Sequence, residues 1–209
     1  MTTYLGMPVL EVEPNRRTPF SDSYSLETDT LDSPVGLWYR DISRQHPTIA
    51  VEGLSFLCES REEWAEFRTF FDAQTGQLKP FWMPSWNFDF TLALDVGGSD
   101  LAITVLETGY VEWGFSSVLD VRKHLALSYM ASGSRQWQYR EIISAANSGS
   151  REVLGLSSSL GTGYTTDQLD VSFLRYVRFA SDSLHTVWHT TEVCEVSTAV
   201  IEIPAEVAT

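Results

Sequence analysis

Residues 60–86, which read SREEWAEFRTFFDAQTGQLKPFWMPSW, constrain the fold of this chain more than any other stretch. The Ser60 hydroxyl can accept a hydrogen bond from an N–H group left unpaired in a first helical turn, and Glu63 can reach back to complete a capping box. Gly76 suits the left-handed position that commonly ends a helix. The sequence therefore predicts one helix over residues 60–75.

Seven aromatic side chains in this stretch are the candidate core or interface residues. On the helix they recur at spacings of three and four, which places them on one stripe. Beyond the helix, Pro80 and Pro84 stiffen an apolar strand over residues 81–86. A large apolar side chain contributes about 1.5–3 kcal/mol when it is fully buried. The candidates are Trp64, Phe67, Phe70, Phe71, Phe81, Trp82 and Trp86.

Elsewhere the sequence predicts short strands separated by polar turns. Strands are expected at 35–39 and 48–57, with a bulge at Gly53 where the apolar alternation shifts. After residue 87, alternating apolar residues and turns rich in Gly and Ser predict a meander. Its strands are expected at 88–94, 101–106, 110–113, 125–130, 136–143 and 152–156. The predicted fold class is mainly β, as a sandwich or barrel, with one central helix, in the α+β class.

The same pattern predicts a discontinuous organisation. Residues 1–34 are predicted to form an extended N-terminal arm, with a frayed terminus as the open alternative. Residues 35–87 and 171–209 are predicted to form one β domain around the helix, because the closing strands are expected to pair with 48–57. Residues 88–170 are predicted to form a small inserted β-barrel.

Composition limits the partners. The 43% apolar fraction and seven Trp residues indicate a folded protein, and the formal charge is −14. That charge opposes nonspecific binding to nucleic acid and to anionic membranes. It fits either simple solubility or a surface that meets a basic partner. No apolar run approaches the roughly 20 residues of a membrane-spanning helix, and no basic segment opens a signal peptide.

No pattern in the sequence indicates catalysis or a cofactor. His185 and His189 are four apart, about 13 Å along a strand, which is too far for one metal ion. On a helix they could share zinc, but Thr186 stands where an HExxH motif has its Glu. Asp95 and Asp100 are explained by turn chemistry. Nucleophile-elbow and phosphate-loop motifs are missing, so we expect neither enzymatic activity nor a metal or cofactor.

Two further features have competing interpretations. Cys58 and Cys194 form no CxxC pattern, and we expect two free, buried thiols that pairing strands could bring together. The aromatic side chains of residues 81–88 could stack on a sugar, because Trp has a flat apolar body with one polar edge. Their position directly after a core helix favours burial in a core or at a subunit interface.

The helix ending in FFDAQTG and the following QLKPFWMPSW resemble a pattern in minor tail proteins of long-tailed bacteriophages. In that family, a helix ending in two aromatics, an Ala and a Gly leads into an apolar F-W-x-P strand. Residues 24–29 and 44–56 are similar to the strands before that helix. Residues 173–182 and 192–204 are similar to the family's closing strands.

The resemblance implies a structural protein of the tail tip, such as the distal tail ring. Its expected partners are copies of itself in a closed ring and the tube, hub, tape-measure and fibre proteins of the tail. The expected location is the virion tail, after synthesis in the host cytoplasm. The genome would pass through the ring without specific binding, and an acidic inner surface would suit that passage. The alternative function is a carbohydrate-binding module that contacts the host surface.

Overall fold

The computed structural model describes residues 2–17, 19–25, 28–32, 38–42, 48–115 and 120–203. Antiparallel strands dominate and one helix is long, which confirms the predicted mainly β, α+β class. The elements are β1 Thr3–Tyr4, β2 Met7–Pro8, β3 Ser21–Ser25, β4 Thr28–Asp32, β5 Trp38–Ile42, β6 Thr48–Cys58, α1 Arg61–Gln74, β7 Phe81–Pro84, β8 Ala102–Leu106, β9 His124–Ala131, β10 Ser134–Asn147, β11 Arg151–Leu156, β12 Leu169–Phe179, β13 His185–Trp188 and β14 Cys194–Glu202.

The described residues form two compact units. The first unit contains the described residues within 1–11 and 82–175, and the second contains those within 12–81 and 176–206. The predicted boundaries were 87/88 and 170/171, whereas the units divide after residues 81 and 175. The residues of the predicted arm, 1–34, are divided between the units after Glu11.

The first unit is built on antiparallel strands in the order β12, β9, β10, β11 and β8. Their inward side chains enclose a core in which the rings of Phe90, Tyr110 and Phe173 lie 4.9–5.7 Å apart. The β1–β2 hairpin precedes Val9, which is buried and pairs with Trp82. The N-terminal residues are therefore part of this unit's packed structure.

The second unit is a sheet in the order β3, β6 and β14, with residues 177–179 of β12 beside β14. β13 also pairs with β14, and β4 pairs with β5 in a separate two-stranded sheet. Helix α1 packs its aromatic stripe in this unit: the rings of Phe67 and Phe56 lie 5.0 Å apart, and those of Phe71 and Phe179 lie 4.8 Å apart. The predicted pairing of the closing strands with residues 48–57 is confirmed for β14 alone, because β12 and β13 pair with β14 and not with β6.

The helix ends follow the sequence signals with two shifts of one residue. Ser60 Oγ accepts from Glu63 N at 3.2 Å, as a capping box requires. The Glu63 carboxylate, however, accepts from the N–H of Glu59 rather than that of Ser60, at 2.7 Å. At the other end, the left-handed conformation begins at Thr75, with φ 56°, and continues through Gly76, with φ 60°.

Gly53 occupies the bulge that the sequence predicted. Its φ is 77°, in the region that favours glycine. The β14–β6 register shifts there, because Leu54 pairs with Thr198 whereas Val51 pairs with Val200. One extra residue on β6 thus moves its later apolar side chains onto the buried face.

Two predicted strands are wrong. Residues 88–94 form only isolated bridges, at Phe90 and Leu92, because positive φ angles at Trp86 (62°) and Phe88 (49°) bend the chain out of an extended path. The other four predicted strands of the meander are confirmed as β8, β9, β10 and β11. Residues 33–37, which contain most of the strand predicted at 35–39, lie outside the described residues.

The strand predicted at 110–113 is replaced by a wide helical turn, Val111–Phe115. Trp113 N donates to the Gly109 carbonyl at 3.1 Å, and Gly109 has φ 77°. A carboxylate from β11, that of Glu152, accepts from the backbone at both Thr108 and Val111. This long-range hydrogen bonding outweighs the local strand pattern.

Candidate functional site

The aromatic strand 81–86 is buried. Phe81 is 0% exposed in the second unit, where its ring lies 5.2 Å from Phe70 and 4.7 Å from Phe179. In the first unit, Trp82 and Trp86 are 0% and 1% exposed. A stacked sugar needs an open ring face, so these two tryptophans do not provide a sugar-binding surface in the described structure.

The two buried tryptophans pack against named neighbours in the first unit. The Trp82 ring lies 5.4 Å from Tyr4 and 4.8 Å from His124, and Tyr4 OH is 2.9 Å from His124 Nδ1. Trp86 meets Trp137 edge to face at 5.2 Å. Burial, followed by the Glu141 charge, raises the pKa of the Tyr4 phenol, which therefore stays neutral.

The helical candidates differ in exposure. Phe67, Phe70 and Phe71 are buried in the second unit, whereas Trp64 is half-buried. The Trp64 ring lies 5.6 Å from that of Trp188 at the end of β13. Among the seven predicted core or interface residues, Trp64 is therefore the one that retains substantial contact with solvent.

The adjacent rings of Trp64 and Trp188 lie between two arginine guanidinium groups. The guanidinium of Arg68 lies 5.5 Å from the centre of the Trp64 ring, and that of Arg61 lies 5.7 Å from the Trp188 ring. Arg61 Nε also donates to the Thr191 carbonyl at 2.7 Å, which fixes the first turn of α1 to the chain after β13. Such contacts contribute about 0.5–1 kcal/mol each at exposed sites.

These four side chains form one partly exposed surface, on which Trp188 is 44% exposed. We call Arg61, Trp64, Arg68 and Trp188 the tryptophan patch. Its strand β13 pairs with β14 alone among the described strands, which makes it an edge strand. Exposed edge strands with apolar side chains are common contact surfaces.

The first unit contains a cleft of about 450 Å³ between the β9–β10 hairpin and the loop before β12. Its walls include Tyr129 and Tyr164, whose ring centres lie 4.8 Å apart. The Gln138 side chain donates to Tyr164 OH at 3.3 Å. Burial, followed by the hydrogen bond between Tyr164 and Tyr129, raises the pKa of Tyr164.

Charged groups of both signs line the same cleft. Arg135 donates to Ser128 Oγ at 3.1 Å, and its guanidinium lies 3.5 Å from Asp170 Oδ2. Asp167 accepts from the Thr165 hydroxyl, which lowers the pKa of its carboxyl. The volume lies within the roughly 300–1,000 Å³ range of small-molecule sites, and the aromatic wall with convergent polar groups is typical of them.

The two histidines considered as metal ligands are on or beside β13. His189 Nε2 lies 3.4 Å from Glu195 Oε2. A hydrogen bond from Ser55 lowers the pKa of Glu195, and the His189 contact adds to the effect. Within the part of the chain that the structure describes, no three His, Cys, Asp or Glu side chains are grouped to hold a metal ion.

A scan against protein-family models gives no match for this chain, and a search of curated proteins gives none either. Across the described residues, no helix has the length and apolar character needed to span a membrane.

Sequence reasoning missed Trp188 and the cleft residues Tyr129, Arg135 and Tyr164. Trp188 lies in the short strand β13, and its contact with Trp64 of α1 brings together residues that are far apart in sequence. No local pattern predicts such a contact. Tyr129 and Tyr164 are likewise distant in sequence. An exposed Trp beside two His residues in HTVWH was the one local signal that could have pointed to this surface.

Proposed function

We propose that this chain is a structural subunit of the tail tip of a long-tailed bacteriophage, where copies form a closed ring between the tail tube and the hub or baseplate. The observation that carries the proposal is the organisation of the second unit. An aromatic helix follows β6, and β14 returns from the C-terminal end to pair with β6. This arrangement is the one that the resemblance to minor tail proteins implies.

The tryptophan patch supplies a contact surface for such a ring. A closed ring needs heterologous contacts, in which one surface of each copy meets a different surface of the next. Trp and Arg are enriched at the centres of protein interfaces. Trp buries a large area with few rotatable bonds, and the planar guanidinium of Arg can stack on a ring and donate hydrogen bonds at the same time. The patch presents both residue types on a rigid helix and an edge strand.

A variant at the patch tests this contact. We expect Trp188→Asp to reduce the mass of the assembled particle, as measured by light scattering, because it removes the indole ring that the contact between copies would bury. Ile143→Asp, at a 60% exposed residue of the first unit, is the matched control. Thermal denaturation of both variants checks that the fold is intact. Assemblies of equal mass in wild type and Trp188→Asp would contradict this role for the patch.

The charge of the chain fits a conduit for DNA. A net charge of −14 per copy repels the genome at long range, so passing DNA would not adhere to a bore lined by acids. A mobility-shift assay at low salt, where electrostatic binding is strongest, should show no complex with duplex DNA. A bore lined mainly by Lys and Arg in the assembled particle would contradict this part of the proposal.

Carbohydrate binding is the second candidate, and the cleft of the first unit is the observation that favours it. Tyr129 offers an aromatic wall, and Arg135 with Asp170 offers paired donors and acceptors for sugar hydroxyls. A glycan array probed with wild type and Tyr129→Ala tests this function. Binding by wild type that Tyr129→Ala loses, with unchanged thermal stability, would support it. A glycan array on which the wild-type protein gives no binding signal would contradict this function.

A further inference from the structure

The second unit contains two buried thiols that face each other across a pair of strands. Cys58 is the last residue of β6 and Cys194 is the first residue of β14. The two residues are direct partners in the antiparallel register. Both cysteines are free, and their side chains lie within hydrogen-bonding contact of each other.

This placement fits the geometry of a disulfide. Residues directly opposite in an antiparallel pair have Cα atoms about 4.5–5.5 Å apart. Disulfides span Cα separations of about 4.4–6.8 Å. Directly opposite side chains also project from the same face of the sheet, so closing the bond needs side-chain rotation and little backbone movement.

We propose that Cys58 and Cys194 form a dithiol site that closes to an intrachain disulfide when it meets a low-molecular-weight disulfide such as oxidised glutathione. One cysteine, as its thiolate, attacks the oxidant and displaces one thiol, which leaves a mixed disulfide on the protein. The second cysteine, as its thiolate, then attacks that protein sulfur and displaces the second thiol. Two protein thiols are oxidised, and one oxidant disulfide is reduced to two thiols.

The surroundings of Cys58 and Cys194 determine how fast these thiols are oxidised. Cys58 and Cys194 are 2% and 0% exposed. Burial, followed by the proximity of Cys194, raises the pKa of Cys58 to about 12, and burial also raises the pKa of Cys194. The thiolate is the reacting form, and the raised pKa values leave little of it. The two thiols therefore react slowly while β6 and β14 are fully paired. Both residues are at strand ends, where local opening is easiest, so oxidation should accelerate under mildly destabilising conditions.

The bond would change stability as well as redox state. It would join the end of β6 to the start of β14 and close a loop that contains every element from α1 through β13. Long closed loops remove the most entropy from the unfolded chain. We expect the melting temperature of the second unit to rise by about 5 °C or more on oxidation.

Equilibration in glutathione buffers tests the proposal. Reduced wild-type protein is incubated with oxidised glutathione in low urea, which opens the strand ends, and is then denatured and treated with an alkylating reagent. We expect intact mass spectrometry to show a protein lighter by two hydrogen atoms and without alkyl groups. Peptide mapping without reduction should join the peptides that carry Cys58 and Cys194.

The single variants Cys58→Ser and Cys194→Ser are the matched controls. Each retains one thiol and should end as a glutathione adduct, because no second thiol is present to displace the glutathione. Wild-type protein that instead carries two alkyl groups, or glutathione on both cysteines, would overturn the proposal. Disulfide-linked dimers in place of the internal bond would overturn it too. None of these results depends on whether the chain assembles into a ring.

Discussion

Replacement of Phe70 by Ala tests whether the aromatic stripe of α1 holds the second unit together. Phe70 is 4% exposed, and its ring meets Phe81 at 5.2 Å and Phe179 at 6.3 Å, both edge to face. Truncating a buried Phe to Ala costs about 3–5 kcal/mol, because apolar transfer energy is lost and a cavity remains. Two neighbouring rings from separate segments limit how far the site can collapse. We therefore expect the free energy of unfolding to fall by about 4 kcal/mol.

Urea denaturation followed by fluorescence and circular dichroism measures this loss. Leu78→Ala is the control, because Leu78 is 69% exposed and should change stability by less than about 0.5 kcal/mol. Phe70→Leu should recover more than half of the loss, since Leu refills most of the volume. A loss below about 1 kcal/mol for Phe70→Ala would refute the view that this stripe is the packing centre of the unit.

Three further substitutions test local features of the two units. Ser60→Ala should destabilise the second unit by about 1 kcal/mol in chemical denaturation, because Glu63 N loses its acceptor. Gly76→Ala should cost about 1–3 kcal/mol in the same assay, since φ is 60° and an added Cβ would lie 2.3 Å from Asp182 Oδ1. Glu152→Gln should weaken the dependence of the first unit's melting temperature on pH in the acidic range. Burial alone would raise the pKa of Glu152, but N–H donors at Val111 and Thr108 hold it below the usual range of a glutamate. The wild type therefore has this stabilisation above the usual glutamate pKa and loses it as pH falls through the lowered pKa.

Local signals predicted the parts of the fold that depend on neighbours in sequence. The helix over 60–75 was predicted from Ser60, the aromatic spacing and Gly76, and α1 spans Arg61–Gln74. The shift of its left-handed end to Thr75 lies within one residue of that signal. The bulge at Gly53 was also local, because a glycine interrupted an apolar alternation. The helix ends and the bulge were predictable because the capping residues and glycines that determine them lie within a few residues of each feature.

Long-range contacts decided what the sequence missed. The helical turn after Gly109 depends on the Glu152 carboxylate, which reaches it from β11. The extended reading of residues 88–94 failed because Trp86 and Phe88 adopt positive φ, which no local residue preference predicts for aromatic side chains. The contact between Trp64 and Trp188 likewise arises only once β13 has paired with β14.

The most direct test of the proposed tail function is the state of the purified wild-type chain, measured by light scattering with negative-stain imaging of the same sample. The account predicts a discrete oligomer that appears as a closed ring with a central hole. Because some rings close only on a template, the sample is also mixed with phage tail tubes. A chain that stays monomeric at every concentration, and that also fails to add density to the tube ends, would contradict the proposal.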